Sequence, residues 1–320
     1  MKPTDPTDRT RPAAPRALRV RSGALSLHVV EHSAPAPGRP HVVLVHGYPD
    51  QQQMWDPVVG HLDLDALHVL TYDVRGAGRS GVPEGVEGYA ADRLVDDLVA
   101  VVEATVPATD PVHLVGHDWG SIQLWHAVLG ARNDPRLRGR IASYTSISGP
   151  PLAHVAALSR SPEGRRLRLA RQLVHSWYVY AFQVPVLPEL VWARGHRRIA
   201  TGLAAAERRE DTGHWGPELE RNAVQGLGLY RANMGGRRRR RRPARPTTGR
   251  RHSRGEPRTD VPVQLVVPTR DRFVTPVLLE GLERVCSDLT RVSLDAGHWV
   301  TRTHPEQVAR LIGDHVARHA

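Results

Sequence analysis

The stretch Val112-His113-Leu114-Val115-Gly116-His117-Asp118-Trp119-Gly120-Ser121-Ile122 constrains what this chain can fold into more than any other. A short apolar run with two valines stops at Gly116, and Ile122, Trp125 and Leu129 then recur at near-helical spacing. Between them lies Gly116-x-Asp118-x-Gly120. Small residues two before and two after a central position let a strand turn sharply into a helix, and the central side chain is then presented for reaction. Here that side chain is a carboxylate. It can open an electrophilic sp3 carbon, give an alkyl-ester intermediate and lose it to water. The same five residues would also suit an ordinary Asp-containing turn, so the rest of the chain decides.

The order of elements predicts an α/β chain with a mostly parallel, doubly wound sheet. Ala17 to Arg21 and Leu25 to Glu31 alternate about Ser22-Gly23, as an opening hairpin does. His41 to Val45 is a nearly continuous apolar strand, suited to a sheet covered on both faces. It ends in His46-Gly47-Tyr48-Pro49-Asp50, and a helix is predicted through Trp55 and Val58. His68 to Asp73 reads as a strand, Tyr89 to Val106 as a helix and Arg140 to Ser148 as a further strand. From Pro150 to Met234 the pattern is helical, rich in Trp, Tyr, Leu and Arg, as a helical cap inserted into the sheet would be. Strand character resumes at Val261 to Val267. A helix over Val277 to Val285, a strand over Arg291 to Asp295 and a helix over Pro305 to Ala317 complete the prediction. The expected organisation is a disordered leader over 1–16, a core over 17–149 and 259–320, a cap over 150–234 and a flexible insert over 235–258.

The net charge of +11 looks like a nucleic-acid signature until it is located. Twelve of the 44 Lys and Arg, and only one of the 33 Asp and Glu, fall between Arg231 and Arg258. That local excess equals the whole net charge, so the remainder is neutral. The insert reads as a solvated linker, with a polyanion or acidic-membrane contact and a locally corrupted or drifted sequence as the competing readings. No aromatic pattern accompanies it, and no nucleic-acid partner is expected. A single cysteine, Cys286, excludes an internal disulfide and a cysteine-based metal cluster. With no apolar run long enough to cross a bilayer, a soluble cytoplasmic protein is the default expectation.

Gly76-x-Gly78-x-x-Gly81 matches a dinucleotide fingerprint on paper, but Pro83 follows at once and no helix can open there. A tight loop is the better reading. The His46-Gly47-Tyr48-Pro49 turn, directly after a central strand, is placed to supply one oxyanion donor, Tyr48 N–H, beside Trp119 N–H. Asp271 sits just past the late apolar strand, where an acid can orient an imidazole. His298, after the final strand, is the best of eighteen histidines for a general base.

Together His46-Gly47-Tyr48-Pro49, Asp73-x-Arg75-Gly76-x-Gly78-x-Ser80, Gly116-His117-Asp118-Trp119-Gly120, Asp271 and Gly297-His298-Trp299 resemble the α/β-hydrolase fold family, and its epoxide hydrolase branch in particular. The resemblance covers nearly all of the chain except the leader and the arginine insert. It implies Asp118 as nucleophile, His298 as the base that activates water and Asp271 as the acid holding the imidazole. No metal or organic cofactor is implied.

The resemblance also implies two cap tyrosines that bind and protonate an epoxide oxygen. Trp177-Tyr178-x-x-x-Phe182-Gln183 resembles the setting of the first and Tyr230-Arg231-Ala232-Asn233-Met234 that of the second. Tyr180 competes for the first position. Phenols, with a pKa of about 10, are acids suited to a developing alkoxide. His46, Trp177 and Phe182 are the expected pocket residues, and an aromatic cap suggests a small apolar epoxide. Haloalkane dehalogenation shares the Asp elbow and a Trp at position 119, but gives paired tyrosines no task. A catalytically silent polyanion-binding protein is the reading from another class.

Overall fold

The computed structural model describes residues 14–158, 175–207, 215–235 and 258–320. Most of the expected leader and nearly all of the arginine insert therefore lie outside the described residues. Eight strands form one sheet in the spatial order β1-β2-β4-β3-β5-β6-β7-β8. The hairpin β1 (Arg16–Ser22) and β2 (Leu25–Glu31) is antiparallel, and β2 meets β4 antiparallel through Val29 to Glu31. From β4 (His68–Tyr72) and β3 (His41–Val45) through β5 (Val112–His117), β6 (Ile141–Ile147), β7 (Val263–Pro268) and β8 (Leu289–Leu294), every pairing is parallel. All residues of β3, β4, β5 and β7 are buried, as strands covered on both faces must be.

Two apolar clusters lie on opposite faces of this sheet. One joins α2 (Ala91–Thr105) and α3 (Trp119–Gly130) to Leu114, Tyr144 and Leu265. The other joins the single turn α1 (Asp56–Val59) to Leu44, Val115 and Val266 from the opposite side.

Between β6 and β7 the chain carries α4 (Leu152–Leu158), α5 (Trp177–Ala181), α6 (Leu187–Ala206) and α7 (Leu219–Met234). This is a helical insertion between two neighbouring parallel strands. After β8, α8 (Val300–Thr303) and the long α9 (Pro305–Arg318) return to the second cluster through Val308 and Ile312.

Three local expectations change. Val277 to Val285 is not one helix but two 3-10 turns, Pro276–Leu279 and Leu282–Arg284. Gly281 between them has φ +82, a left-handed conformation that ends one turn before the next begins. The segment through Trp55 and Val58 is a 3-10 turn (Gln52–Trp55) followed by one helical turn. Tyr89 ends a 3-10 turn (Val86–Tyr89), and α2 opens two residues later, at Ala91.

Candidate active site

The elbow forms where β5 meets α3. Asp118 has φ 51 and ψ −120, a region costly for any residue with a Cβ, which lifts its side chain out of the sheet. Gly116 and Gly120 on either side of it are required by close contact, not by backbone conformation. A Cβ on Gly120 would lie 2.1 Å from the Val45 carbonyl oxygen, and one on Gly116 would lie 2.7 Å from the Ser121 backbone. The strain is held from below. Asp118 N–H donates to Ile147 O at 3.0 Å, and the Ser121 hydroxyl bridges Tyr144, Ser146 and Gly149.

Asp118 Oδ2 accepts the Tyr48 N–H at 2.8 Å, and the Trp119 N–H also donates to the carboxylate. A Cβ on Gly47 would be 2.6 Å from Asp118 Cβ, so glycine is what lets the His-Gly turn pass this close. The structure thus brings both expected oxyanion donors to one carboxylate. Burial raises the Asp118 pKa to about 6, although His298 and the two N–H donors pull it down.

The loops after β7 and β8 bring Asp271 and His298 to the same place. Asp271 is fixed through Oδ1, which accepts from Phe273 N–H at 2.8 Å and Val274 N–H at 2.9 Å. Its Oδ2 pairs with His298 Nδ1 at 2.8 Å, while His298 Nε2 lies 3.9 Å from Asp118 Oδ1. Burial alone would lower the imidazole pKa. Asp271, by charge and hydrogen bond, with Asp118 and Glu207 beyond it, raises it to about 9. Asp271 itself is held below the usual carboxylate range, because the adjacent imidazole and two N–H donors outweigh its burial.

Above this floor lies a cavity of about 510 Å³ lined by Asp118, Tyr178, Phe182, Tyr230, Phe273 and His298 among others. Tyr178 and Tyr230 come together, with ring centroids 6.0 Å apart. Burial first, with the Asp118 charge adding to it, keeps both phenols protonated far above neutral pH. Tyr178 adds to the upward shift of Tyr230, while the hydrogen bond with Tyr230 opposes that of Tyr178. Tyr230 also packs edge-on against Tyr48 and Trp119, at 5.2 and 5.0 Å. Tyr180, the competitor for the first position, is 64% exposed and outside the cavity. Arg231, next to Tyr230, donates to the Phe182 and Val184 carbonyls and pairs with Glu189 at 2.6 Å, tying α7 to the turn between α5 and α6.

Of the expected pocket residues, Phe182 and Trp177 line the cavity, Trp177 from its exposed rim. His46 does not. Its ring is buried beneath the turn, where Nε2 accepts the Val74 N–H at 2.9 Å and Nδ1 faces Gly47 O. A histidine next to the oxyanion turn serves here to lock two loops together.

Phe273 and Glu207 contribute without any motif in the sequence, and Trp299 and Asp50 meet in a contact the sequence does not announce. Phe273 packs on both Tyr178 and His298, and Trp299 Nε1 donates to Asp50 at 2.9 Å. Glu207, at the end of α6, accepts the Trp299 N–H. The Asp73-x-Arg75-Gly76-x-Gly78-x-Ser80 run is a structural knot. Asp73 accepts from Gln52 and Arg79 N–H, Arg75 pairs with Asp97 through two nitrogens, and a Cβ on Gly78 would strike the Asp73 carboxyl. Among the described residues, no cluster of three or more His, Cys, Asp or Glu is arranged to hold a metal ion.

The comparisons with known proteins follow this geometry. EphD of Mycobacterium tuberculosis strain H37Rv, named a probable oxidoreductase, is 32% identical over 315 residues, covering 95% of this chain and 50% of that protein. The chain thus spans about half the length of that curated relative. AB hydrolase superfamily protein YfhM of Bacillus subtilis is 26% identical, with 92% of this chain and 95% of that protein covered. Epoxide hydrolase A of Mycobacterium tuberculosis is 32% identical over 194 residues, 59% of this chain and 56% of that protein. In fold, the chain is similar to a Bacillus megaterium epoxide hydrolase solved with an inhibitor, at a TM-score of 0.72 and 20% identity, covering 94% of this chain and 100% of that one. A family model described as the alpha/beta hydrolase fold matches residues 40–305. With that match over most of its length, the chain belongs to the α/β hydrolase fold family.

Proposed function

We propose that this protein hydrolyses an epoxide to a vicinal diol through an ester on Asp118. The observation that carries the reading is the facing of two groups across one cavity: a carboxylate, imidazole and second carboxylate on the floor, and two protonated phenols above them. Ring opening needs both at once. Asp118 attacks one ring carbon, the C–O bond breaks, and Tyr178 and Tyr230 stabilise and protonate the departing oxygen. Asp118 loses its charge when it becomes the ester, which removes one of the influences holding the His298 pKa near 9. With Asp118 neutralised, His298 gives its proton to the phenolate left by ring opening and then serves as the base. It takes a proton from water, the water oxygen attacks the ester carbonyl, and the Tyr48 and Trp119 N–H groups bind the oxyanion. The bond between the Asp118 carbonyl carbon and the substrate-bound oxygen then cleaves. That oxygen leaves in the diol with the proton of the added hydroxyl, Asp118 is again a carboxylate, and His298, held by Asp271, retains the proton it took from water.

The helices between β6 and β7, over 150–234, act as the cap that supplies the phenols, and the aromatic lining favours an apolar substrate. The relatives named epoxide hydrolase support the same chemistry. Dehalogenation would leave both phenols without a task.

Single-turnover hydrolysis of an aryl epoxide in heavy-oxygen water, with protein in excess, tests the proposal. Unlabelled diol is expected, because its new oxygen comes from Asp118 first. Labelled diol would mean direct attack by water and would remove the ester. Absence of diol together with halide release from an alkyl halide would transfer the protein to dehalogenation.

A further inference from the structure

One exposed face of the helical insertion is unusually apolar. Trp177, Tyr180, Val186, Leu187, Leu190 and Val191 are between 41% and 66% exposed and belong to α5, the turn after it and the first turns of α6. On α6, Leu187, Leu190 and Val191 recur at helical spacing and continue into Arg194 and Arg198 on the same side. All five are exposed. The opposite side of α6 carries Trp192, Ile199 and Leu203, which line the cavity. The helix is therefore amphipathic in two senses: core against surface, and apolar then cationic along that surface.

Two further facts restrict what can sit here. Trp177 and Val191 belong both to this face and to the lining of the Asp118 cavity, so the cavity opens within the patch. In addition, α7 ends at Gly235, where an added Cβ would lie 3.1 Å from Gln183 Oε1. The chain leaves the insertion beside Val184, and the sequence that follows, 236–257, carries ten arginines and one acid. Among the described residues, Arg194 and Arg198 supply positive charge at the border of this aromatic and aliphatic surface.

We propose that this face docks on an anionic lipid surface, and that the epoxides the protein takes are lipid-borne. A protein partner or a second copy seated here would close the cavity mouth, whereas a bilayer would feed it. Trp and Tyr suit the headgroup level, aliphatic side chains the acyl boundary beneath it, and arginines the negative surface. The docking stands on the surface alone. Only the choice of epoxide as cargo rests on the hydrolase reading.

The test is co-sedimentation with vesicles of phosphatidylglycerol mixed with phosphatidylcholine, alongside pure phosphatidylcholine vesicles. The full chain is compared with Tyr180→Ser/Leu187→Gln/Leu190→Gln and with Arg194→Gln/Arg198→Gln, the residues 236–257 being left intact. The native chain is expected to bind anionic vesicles and to release with salt. The double variant should lose roughly thirty-fold in partitioning, and the triple variant roughly tenfold, with melting temperatures unchanged. All three should hydrolyse a small water-soluble epoxide at one rate, while a bilayer-dissolved epoxide is turned over more slowly by both variants. Native-like binding by the triple variant would assign attachment to the arginine-rich sequence alone and overturn the proposal. So would indifference to anionic lipid, or a native dimer that the triple variant dissociates. Docking without hydrolysis of any epoxide would uphold the surface and remove only its cargo.

Discussion

His117 donates from Nε2 to the main-chain carbonyl of His298 at 2.9 Å, joining the residue before the elbow aspartate to the residue proposed as base. Burial lowers the His117 pKa to about 4, so the ring is neutral at pH 7 and this hydrogen bond fixes its tautomer. The rings of the two histidines lie 4.8 Å apart. His117 touches His298 but does not line the cavity, so any influence on the reaction would pass through His298.

Replacing His117 should therefore change the second half of the reaction more than the first. His117→Leu leaves the His298 carbonyl without its donor, a loss of about 1–3 kcal/mol. Ester hydrolysis is expected to slow about ten-fold or more while ester formation changes little. His117→Gln keeps a donor and should recover part of the loss. Rapid-quench measurement of both steps checks this, and equal slowing of the two would make His117 a purely structural residue.

The pH dependence of ester formation should report Asp118. With its carboxyl held near 6, attack on the epoxide is expected to rise between pH 5 and 7 and then level off. The phenols stay protonated throughout that range. Because Asp118 and His298 interact, the midpoint belongs to the pair. A midpoint near 4 in single-turnover rates would mean that water reaches the carboxylate freely.

The same carboxyl should weaken the fold. A group whose pKa rises from 3.8 to about 6 on folding favours the folded state below pH 3.8, and that support is lost as pH rises through 6. The difference amounts to about 3 kcal/mol. Asp118→Asn is thus expected to abolish turnover, raise the melting temperature by several degrees at pH 8 and change it little at pH 4. Equal effects at both pH values would contradict the linkage.

For His298 the sign is reversed. Its pKa rises on folding to about 9, so it stabilises the fold below 6.5 and loses that effect as pH passes 9. Asp271→Asn removes the largest upward influence. It should reduce turnover by roughly 10³–10⁴-fold and bring the imidazole pKa down, as read by NMR titration. Unchanged titration would mean another group holds the ring.

Tyr230→Phe and Tyr178→Phe should each slow ring opening by about 10²-fold with little change in stability. Tyr230→Phe is expected to be the more severe, since Tyr230 packs against both Tyr48 and Trp119. Pre-steady-state ester formation would show it, and loss in neither variant would separate the phenols from the chemistry.

What the sequence made legible follows from the range of each interaction. The elbow could be read because its glycines answer a local steric demand, and the strands because burial on both faces leaves a continuous apolar run. Asp271 and His298 could be placed at strand ends, but their 2.8 Å pairing belongs to the sheet order, which no single segment encodes. The ring of His46 turns away from the cavity, which proximity in sequence to the oxyanion turn does not reveal. Phe273 and Glu207 left no trace, since a lone aromatic or acid in a loop looks the same whether or not it meets a histidine. The two 3-10 turns at 276–284 retain helix-like spacing, and only the backbone at Gly281 reveals the break.

Arg231 ties together the elements that carry the two phenols. It grips the Phe182 and Val184 carbonyls and Glu189 while sitting next to Tyr230 on α7, and Phe182 packs on both Tyr178 and Tyr230. The two acids of the proposed reaction therefore share a single mount. A change at Arg231 would thus be felt at both phenols at once, since one guanidinium braces the turn whose Phe182 ring touches each of them.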